Sequence, residues 1–117
     1  MSAPEIVEVV GEADRATSQR LRERLAALEE RPEARVVVDL TAATFVDSST
    51  LGVLAVSSKR LGHGGGRFAI VCPPGEVRMM FELTALDRVV PLHATRAEAL
   101  AAIDAGAMPY VPSEAAP

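Results

Sequence analysis

Three small polar side chains stand next to one another at Asp47, Ser48 and Ser49. Oxygen-bearing side chains of this size are favoured at a helix start, where they accept hydrogen bonds from free backbone N–H groups. The same position would leave a serine hydroxyl exposed, and a phosphate there would meet those N–H groups and the positive end of the helix dipole. The pattern therefore predicts either a structural helix cap or a serine that accepts a phosphoryl group.

The rest of the chain offers few groups for catalysis. Its 117 residues include two histidines, one cysteine and one tyrosine, which excludes a cysteine–histidine zinc cluster and an intramolecular disulfide. No Gly-x-Ser-x-Gly motif surrounds Ser48, which argues against a hydrolase nucleophile. The glycine cluster Gly62–Gly66 lacks the Lys-Ser/Thr that follows in a phosphate-binding loop. We predict a protein that is not an enzyme and that holds no metal or other cofactor.

Charge and hydropathy argue against two classes of partner for the chain, nucleic acids and the membrane interior. A net charge of -4 and an aromatic content of 3% argue against a nucleic-acid binder, which presents basic and stacking side chains. The apolar runs are strand-sized and stay far below the ~20 residues of a membrane span. The N-terminus carries no signal-peptide pattern. These features predict a cytoplasmic protein with no membrane span and no direct contact with nucleic acid.

Apolar periodicity places Asp47–Ser49 within an alternation of strands and helices. The predicted strands are Glu5–Val10, Arg35–Leu40, Arg67–Cys72 and Val89–Leu92; the predicted helices begin at Asp14 or Thr17, cover Thr50–Leu61 and Glu76–Thr84, and run from Thr95 to Ala105. Residues 41–45 are predicted to form a connector. The order predicts an α/β sandwich with a largely parallel sheet. We expect one domain over residues 1–105 and a disordered Pro- and Ala-containing tail over residues 106–117.

Two further polar or reactive residues are interpreted as structural. Cys72 closes the apolar run Phe68–Cys72 and is predicted to be a buried, unreactive thiol. Asp39 stands at the end of a predicted strand, where its carboxylate is predicted to cap a turn.

Four ordered segments resemble the STAS domain of bacterial anti-sigma-factor antagonists. They are Gly11–Asp14, Val36–Leu40, Phe45–Gly52 and Leu83–Leu86. Each segment alone is a weak signal, whereas the ordered set, with an Asp-Ser-Ser sequence opening a helix, is specific. The resemblance covers about residues 5–105 and implies a mostly parallel sheet of four to five strands with about four helices.

The resemblance also implies a phosphorylation switch. In the family motif the phosphoacceptor is the serine directly after the aspartate, which is Ser48 here. An anti-sigma factor with serine kinase activity would phosphorylate Ser48, and a serine phosphatase would reverse the reaction. The unphosphorylated form would bind the anti-sigma factor and free its sigma factor. The residues expected to meet the partner are Asp14, Asp47, Ser48, Ser49, Thr50 and Leu51.

One residue departs from the family pattern, and one alternative function stays open. Thr50 stands where the family often has glycine, and its larger side chain would narrow access to Ser48. The alternative is an interaction subunit that uses the same face constitutively, in a stress-signalling complex or with a membrane transport ATPase.

Overall fold

Strands and helices alternate along residues 3–104, which are the residues that the computed structural model describes. The strands are β1 Glu5–Glu8, β2 Gly11–Ala13, β3 Arg35–Asp39, β4 Ala43–Val46, β5 Arg67–Val71 and β6 Leu92–His93; the helices are α1 Arg15–Glu29, α2 Ser48–His63, α3 Glu76–Leu83 and α4 Arg96–Asp104, with a 3₁₀ turn at Leu86–Arg88. The tail predicted for residues 106–117 lies outside the described residues. The predicted α/β class, with four helices, is confirmed over the described chain.

All strand pairs within residues 3–104 are parallel. A four-stranded sheet has the order β1-β3-β5-β6, and β2 pairs with β4 in a separate two-stranded sheet. The central strand β3 carries Val36, Val37 and Val38, all fully buried. Such a continuous apolar run is typical of a parallel strand that is covered on both faces.

The two faces of the four-stranded sheet build separate apolar clusters. Val36 and Val38 belong to the larger cluster, to which the buried faces of α1, α2 and α3 contribute. Val37 points the other way, because successive side chains of a strand alternate between faces, and packs with Ala99 and Ile103 of α4. Helices α1 and α2 therefore lie on one side of the sheet, and α4 lies on the other.

Two strand predictions need correction. Residues 41–45 were expected to be a connector, yet Ala43–Val46 forms β4. The expected strand Glu5–Val10 ends at Glu8, and a second strand, Gly11–Ala13, starts at a glycine with φ +76°. Both short strands exist because they pair with each other. Three or four residues carry too little periodicity to reveal a strand whose partner is distant in the sequence.

The last predicted strand is displaced along the chain. Val89–Leu92 was expected to be extended, but the backbone N–H groups of Val89 and Val90 both donate to the carbonyl oxygen of Leu86, at 3.0 and 2.9 Å. The strand comprises Leu92–His93 only. Pro91 has no N–H to donate, although its carbonyl oxygen accepts a hydrogen bond from Ile70 at 3.1 Å. The apolar Val90 is buried as a core residue at the end of this turn.

A buried carboxylate ties α4 to the sheet. Asp39, 6% exposed at the end of β3, accepts hydrogen bonds from Arg96 Nη2 at 2.7 Å and Nε at 3.0 Å. Its other oxygen accepts the backbone N–H of Thr41 at 2.9 Å, so the predicted turn cap is confirmed. Glu8 of β1 lies 3.5 Å from the same guanidinium. The first turn of α4 is thus held by charges at the carboxyl ends of β1 and β3.

Asp39→Asn tests this link between α4 and the sheet. Burial raises the pKa of the Asp39 carboxyl, but hydrogen bonds from Thr41 and Arg96 outweigh it and hold the pKa below its ordinary value. Asparagine keeps an acceptor for Thr41 and loses the ion pair. We expect the free energy of unfolding at neutral pH to fall by about 1–3 kcal/mol, measured by chemical denaturation.

The stabilising contribution of the Asp39 carboxylate should depend on pH. A carboxyl whose pKa is lower in the folded state stabilises above its unfolded-state pKa, about 3.9, and loses that contribution as the pH falls through the folded-state value. The gap between wild type and Asp39→Asn should therefore close below about pH 4. Asp104→Asn is the control, because the Asp104 side chain is 68% exposed and its ion pair with Arg35 is expected to contribute under about 1 kcal/mol. A gap that persists at low pH would contradict the assignment to the Asp39 charge.

Candidate functional site

Ser48 is the first residue of α2 and follows β4 after a single intervening residue, Asp47. The side chains of Ser48 and Ser49 are both exposed. The first N–H groups of an α-helix have no acceptor within the helix. A group attached to the Ser48 hydroxyl would therefore lie near unpaired donors and the positive end of the helix dipole.

Asp47 caps α2. Its backbone is extended, with φ -84° and ψ 173°, and its Oδ1 accepts the backbone N–H of Thr50 at 2.8 Å. Helix α2 therefore begins two residues earlier than the apolar periodicity of Thr50–Leu61 indicates. Asp47 is the structural cap that the Asp-Ser-Ser pattern predicted, and Ser48 remains available because the aspartate supplies the cap.

Asp14 caps α1 in the same way. Its backbone is extended, with φ -89° and ψ -169°, and its Oδ1 accepts the backbone N–H of Thr17 at 3.0 Å. Hydrogen bonds from Thr17 hold the pKa of the Asp14 carboxyl below its ordinary value. The carboxylate is therefore charged at neutral pH.

Strand pairing brings the two helix starts together. Ala13, the last residue of β2, is in register with Val46, the last residue of β4. Each is followed directly by a capping aspartate, and neighbouring strands lie about 4.8 Å apart. The backbone N–H of Asp47 donates to the carbonyl oxygen of Ala13 at 3.2 Å. The structure thus places Asp14, Asp47 and Ser48 at one edge, as the resemblance implied.

Two of the expected partner-binding residues are buried instead. Thr50 is 0% exposed and Leu51 is 3% exposed. The Thr50 hydroxyl donates to the carbonyl oxygen of Ala13 at 3.4 Å, and Leu51 packs in the larger apolar cluster. The expectation that these two side chains meet a partner is corrected, because at the third and fourth positions of α2 they face the protein interior. Thr50 does not narrow access to Ser48.

The chemistry available at this edge is that of an acceptor. An exposed hydroxyl stands at a helix start beside two carboxylates, and the histidines lie elsewhere, in α2 at its last residue and in β6. Over residues 3–104, no group of three or more His, Cys, Asp or Glu side chains is placed to hold a metal ion. Cys72 is buried, which raises the pKa of its thiol to about 11. The arrangement offers an exposed hydroxyl as an acceptor for group transfer.

Residue-level reasoning missed an apolar side chain near the site. Phe45 of β4 is 49% exposed and lies three residues before Ser48. The signal in the sequence is an aromatic residue directly after four small residues, Thr41–Thr44, but a predicted connector gives no reason to expect that its side chain is displayed on a strand.

Residues 3–99 match the sequence model of the STAS domain. The chain belongs to the STAS domain family. The anti-sigma F factor antagonist of Paenibacillus polymyxa is 30% identical to this STAS domain over 102 residues, which are 85% of this chain and 86% of the relative. The predicted family is thereby confirmed.

Solved STAS structures share the fold. An anti-sigma factor antagonist from Mycobacterium paratuberculosis superposes with a TM-score of 0.74 at 35% identity, covering 85% of this chain and 84% of that protein. The Bacillus cell fate determinant SpoIIAA in its phosphorylated form gives a TM-score of 0.66 at 21% identity, covering 86% of this chain and 93% of that protein. Within the part of the STAS domain that the structure describes, no helix is long and apolar enough to cross a membrane.

Asp47→Ala tests the capping role at the start of α2. Loss of the side-chain acceptor for Thr50 is expected to lower the free energy of unfolding by about 1 kcal/mol. Asp47→Asn retains an acceptor oxygen and should stay within about 0.5 kcal/mol of wild type. Thermal and urea denaturation would measure both variants. Equal stability of Asp47→Ala and Asp47→Asn would contradict the assigned role of the hydrogen bond.

Proposed function

We propose that this STAS domain is an anti-sigma factor antagonist that phosphorylation of Ser48 switches off. The observation that carries the proposal is the exposed Ser48 hydroxyl at the start of α2, flanked by the capping carboxylates Asp47 and Asp14. The antagonist role is supported by the names of relatives at 30% and 35% identity. The non-enzymatic character of such a regulator agrees with the few catalytic groups in the chain.

The fold is compatible with such a modification. SpoIIAA shares it and has been solved in a phosphorylated form, so a protein of this fold tolerates a phosphate. At Ser48 a phosphate would extend outward from an exposed side chain and would not displace core residues. It would add about -1.5 to -2 charges.

The phosphoryl transfer requires groups from the partner. The Ser48 hydroxyl oxygen would attack the γ-phosphorus of ATP held by a serine-kinase anti-sigma factor. The new O–P bond forms as the bond to the ADP oxygen breaks, and the hydroxyl proton passes to a base of the kinase. A serine phosphatase would restore the hydroxyl by hydrolysing the ester and releasing inorganic phosphate.

The outer face of α2 supplies a docking surface next to Ser48. Ser49 and Gly52 open onto a groove of about 500 Å³ between α1 and α2. Gly52 lies inside the helix, where glycine costs about 1 kcal/mol relative to alanine. Packing does not require it, because an added Cβ would meet nothing within 4 Å. The bare backbone at Gly52 is explained if a partner approaches this face closely.

The switch follows from burial of charge. In the docked complex the Ser48 hydroxyl lies within the interface, and a phosphate there is crowded and partly desolvated. A loss of about 3 kcal/mol of binding free energy corresponds to more than a hundredfold in affinity.

The phosphoacceptor is tested with the purified serine-kinase anti-sigma factor of the same organism and ATP. Intact-mass analysis should show the gain of one phosphate in wild type and in Ser49→Ala, and no gain in Ser48→Ala. Calorimetry should show that Ser48→Ala binds like wild type and that Ser48→Asp binds at least tenfold more weakly.

Equal binding of Ser48→Ala and Ser48→Asp would contradict the switch. Binding without any phosphate gain would instead support the constitutive interaction subunit. Phosphate gain in Ser48→Ala and its loss in Ser49→Ala would move the acceptor to Ser49.

A cytoplasmic location remains a prediction.

Gly52→Ala separates stability from binding on the same face. The variant is expected to raise the free energy of unfolding by about 0.5–1 kcal/mol, because alanine favours the helix and open space receives its methyl group. It should weaken binding of the anti-sigma factor at least fivefold, because the methyl group holds the partner away. Ala27→Gly, at an exposed position of α1, is a control that should lower stability and leave binding unchanged. Unchanged binding of Gly52→Ala would remove this face from the interface.

A further inference from the structure

Strand β4 and helix α3 together form an exposed apolar surface outside the α1–α2 groove. It consists of Phe45 on β4 and of Met79, Met80 and Leu83 on α3, and we call it the β4–α3 surface. Phe45, Met79 and Leu83 are 49%, 53% and 75% exposed. Contiguous apolar surface of this kind marks interaction sites in proteins.

The helical geometry of α3 separates a core face from this outer face. Phe81 is fully buried and Val77 packs against the same cluster. Met79 and Leu83 are four residues apart and therefore lie one above the other on the outer side of the helix. Core packing explains Val77 and Phe81 but leaves Met79 and Leu83 without a described apolar partner.

A depression of about 130 Å³ lies between β4 and α3. It is lined by Thr44, Phe45, Val46, Glu76, Val77 and Met80. Its volume is comparable to that of a cavity of about 150 Å³ that holds a benzene ring. Methionine side chains adapt to the shape of an incoming group, so the depression fits one apolar side chain of another protein.

Carboxylates border this surface. Glu12 is in register with Phe45 in the β2–β4 ladder, so both side chains project from the same outer face. Glu76 lines the depression from the α3 side. Across residues 3–104, neither carboxylate forms an ion pair. The one arginine within α3, Arg78, donates to the carbonyl oxygen of Cys72 at 2.8 Å. The border of the β4–α3 surface is therefore acidic. A partner surface that complements it would carry basic side chains.

The β4–α3 surface is continuous with the Ser48 edge. Two residues separate Phe45 from Ser48, so their Cα atoms are at most about 10 Å apart. A specific interface buries about 800 Å² on each partner, which is more than the first turns of one helix present. Docking over Ser48 would thus extend onto neighbouring surface, and the exposed apolar side chain nearest in the chain is Phe45 of the β4–α3 surface.

We propose that the β4–α3 surface is a second docking site for the anti-sigma factor and receives an apolar side chain flanked by lysine or arginine. The inference rests on the proposed function and adds the chemistry of the partner. The apolar contact provides affinity, and the carboxylates Glu12 and Glu76 attract the basic side chains that surround it.

The apolar contact is tested by Met79→Gln/Leu83→Gln, which keeps helix propensity and adds no charge. We expect the dissociation constant for the purified serine-kinase anti-sigma factor to rise at least tenfold. The control is Ala97→Gln/Ala101→Gln on α4, which changes two exposed residues four apart on the opposite face of the sheet. This control should bind within twofold of wild type, and circular dichroism would verify that both variants fold.

The charged border is tested by kinetics. Glu12→Gln/Glu76→Gln should lower the association rate at low salt several-fold and flatten its dependence on salt, because steering by opposite charges is screened. Glu30→Gln/Glu33→Gln removes the same charge at the far end of α1 and should leave the association rate near that of wild type.

Each outcome bears on a separate claim. If Met79→Gln/Leu83→Gln binds like wild type while Ser48→Asp binds weakly, the surface proposal is overturned and the switch stands. If wild type neither binds the kinase nor gains a phosphate, both proposals fall. If wild type sediments as a dimer and Met79→Gln/Leu83→Gln as a monomer, a second copy covers the surface and the proposed occupant is wrong. The proposal is supported if Met79→Gln/Leu83→Gln binds the anti-sigma factor more weakly while the α4 control, Ala97→Gln/Ala101→Gln, binds like wild type.

Discussion

A single carbonyl oxygen, that of Ala13, organises the start of α2. It accepts the backbone N–H of Asp47 and the hydroxyl of Thr50, and Ala13 itself is fully buried. These contacts join the end of β2 to the first turn of α2. Because Ala13 also precedes Asp14, the same short ladder sets the distance between both helix caps and the Ser48 hydroxyl. The proposed site therefore depends on a two-stranded sheet whose last residues, Ala13 and Val46, are buried in the larger apolar cluster.

The helix start meets two requirements with different side chains. Asp47 accepts the N–H of Thr50 and stabilises the helix, so Ser48 does not have to act as the cap and its hydroxyl stays exposed. The hydrogen bonds to Asp14 keep that carboxylate charged. A phosphate on Ser48 would thus enter a region that already bears negative charge, which the helix dipole offsets only in part. The strong positive charge needed to handle a phosphoryl group has to come from the partner.

The two faces of the molecule differ in whether their charged and apolar side chains find partners within the fold. On the α4 side, Arg96 is paired with Asp39 and Glu8, and Ala99 and Ile103 are buried. On the side of the sheet that α2 and α3 cover, the protein instead exposes Met79 and Leu83 and places Gly52 within α2. These features lower stability or solubility in the isolated chain. Their presence on the side of the molecule that carries Ser48 favours an interaction surface on that side.

Sequence alone determined the elements that carry strong local signals. Long runs such as β3 and the periodic leucines of α1 are visible without a fold, as are the Asp-Ser-Ser helix start and the capping residue Thr95, whose hydroxyl accepts the N–H of Glu98 at 3.1 Å. The order of these elements was sufficient to predict a parallel α/β fold. Local sequence carries this information because hydrophobic periodicity and capping act within a few residues.

Only the tertiary structure decided which residues of the site are accessible. It buried Thr50 and Leu51, exposed Phe45, paired β2 with β4 and brought Asp14 beside Ser48. The physical reason is that burial and strand pairing depend on partners distant in the chain. Neither the three residues of β2 nor the four of β4 can reveal a strand until the other lies next to it.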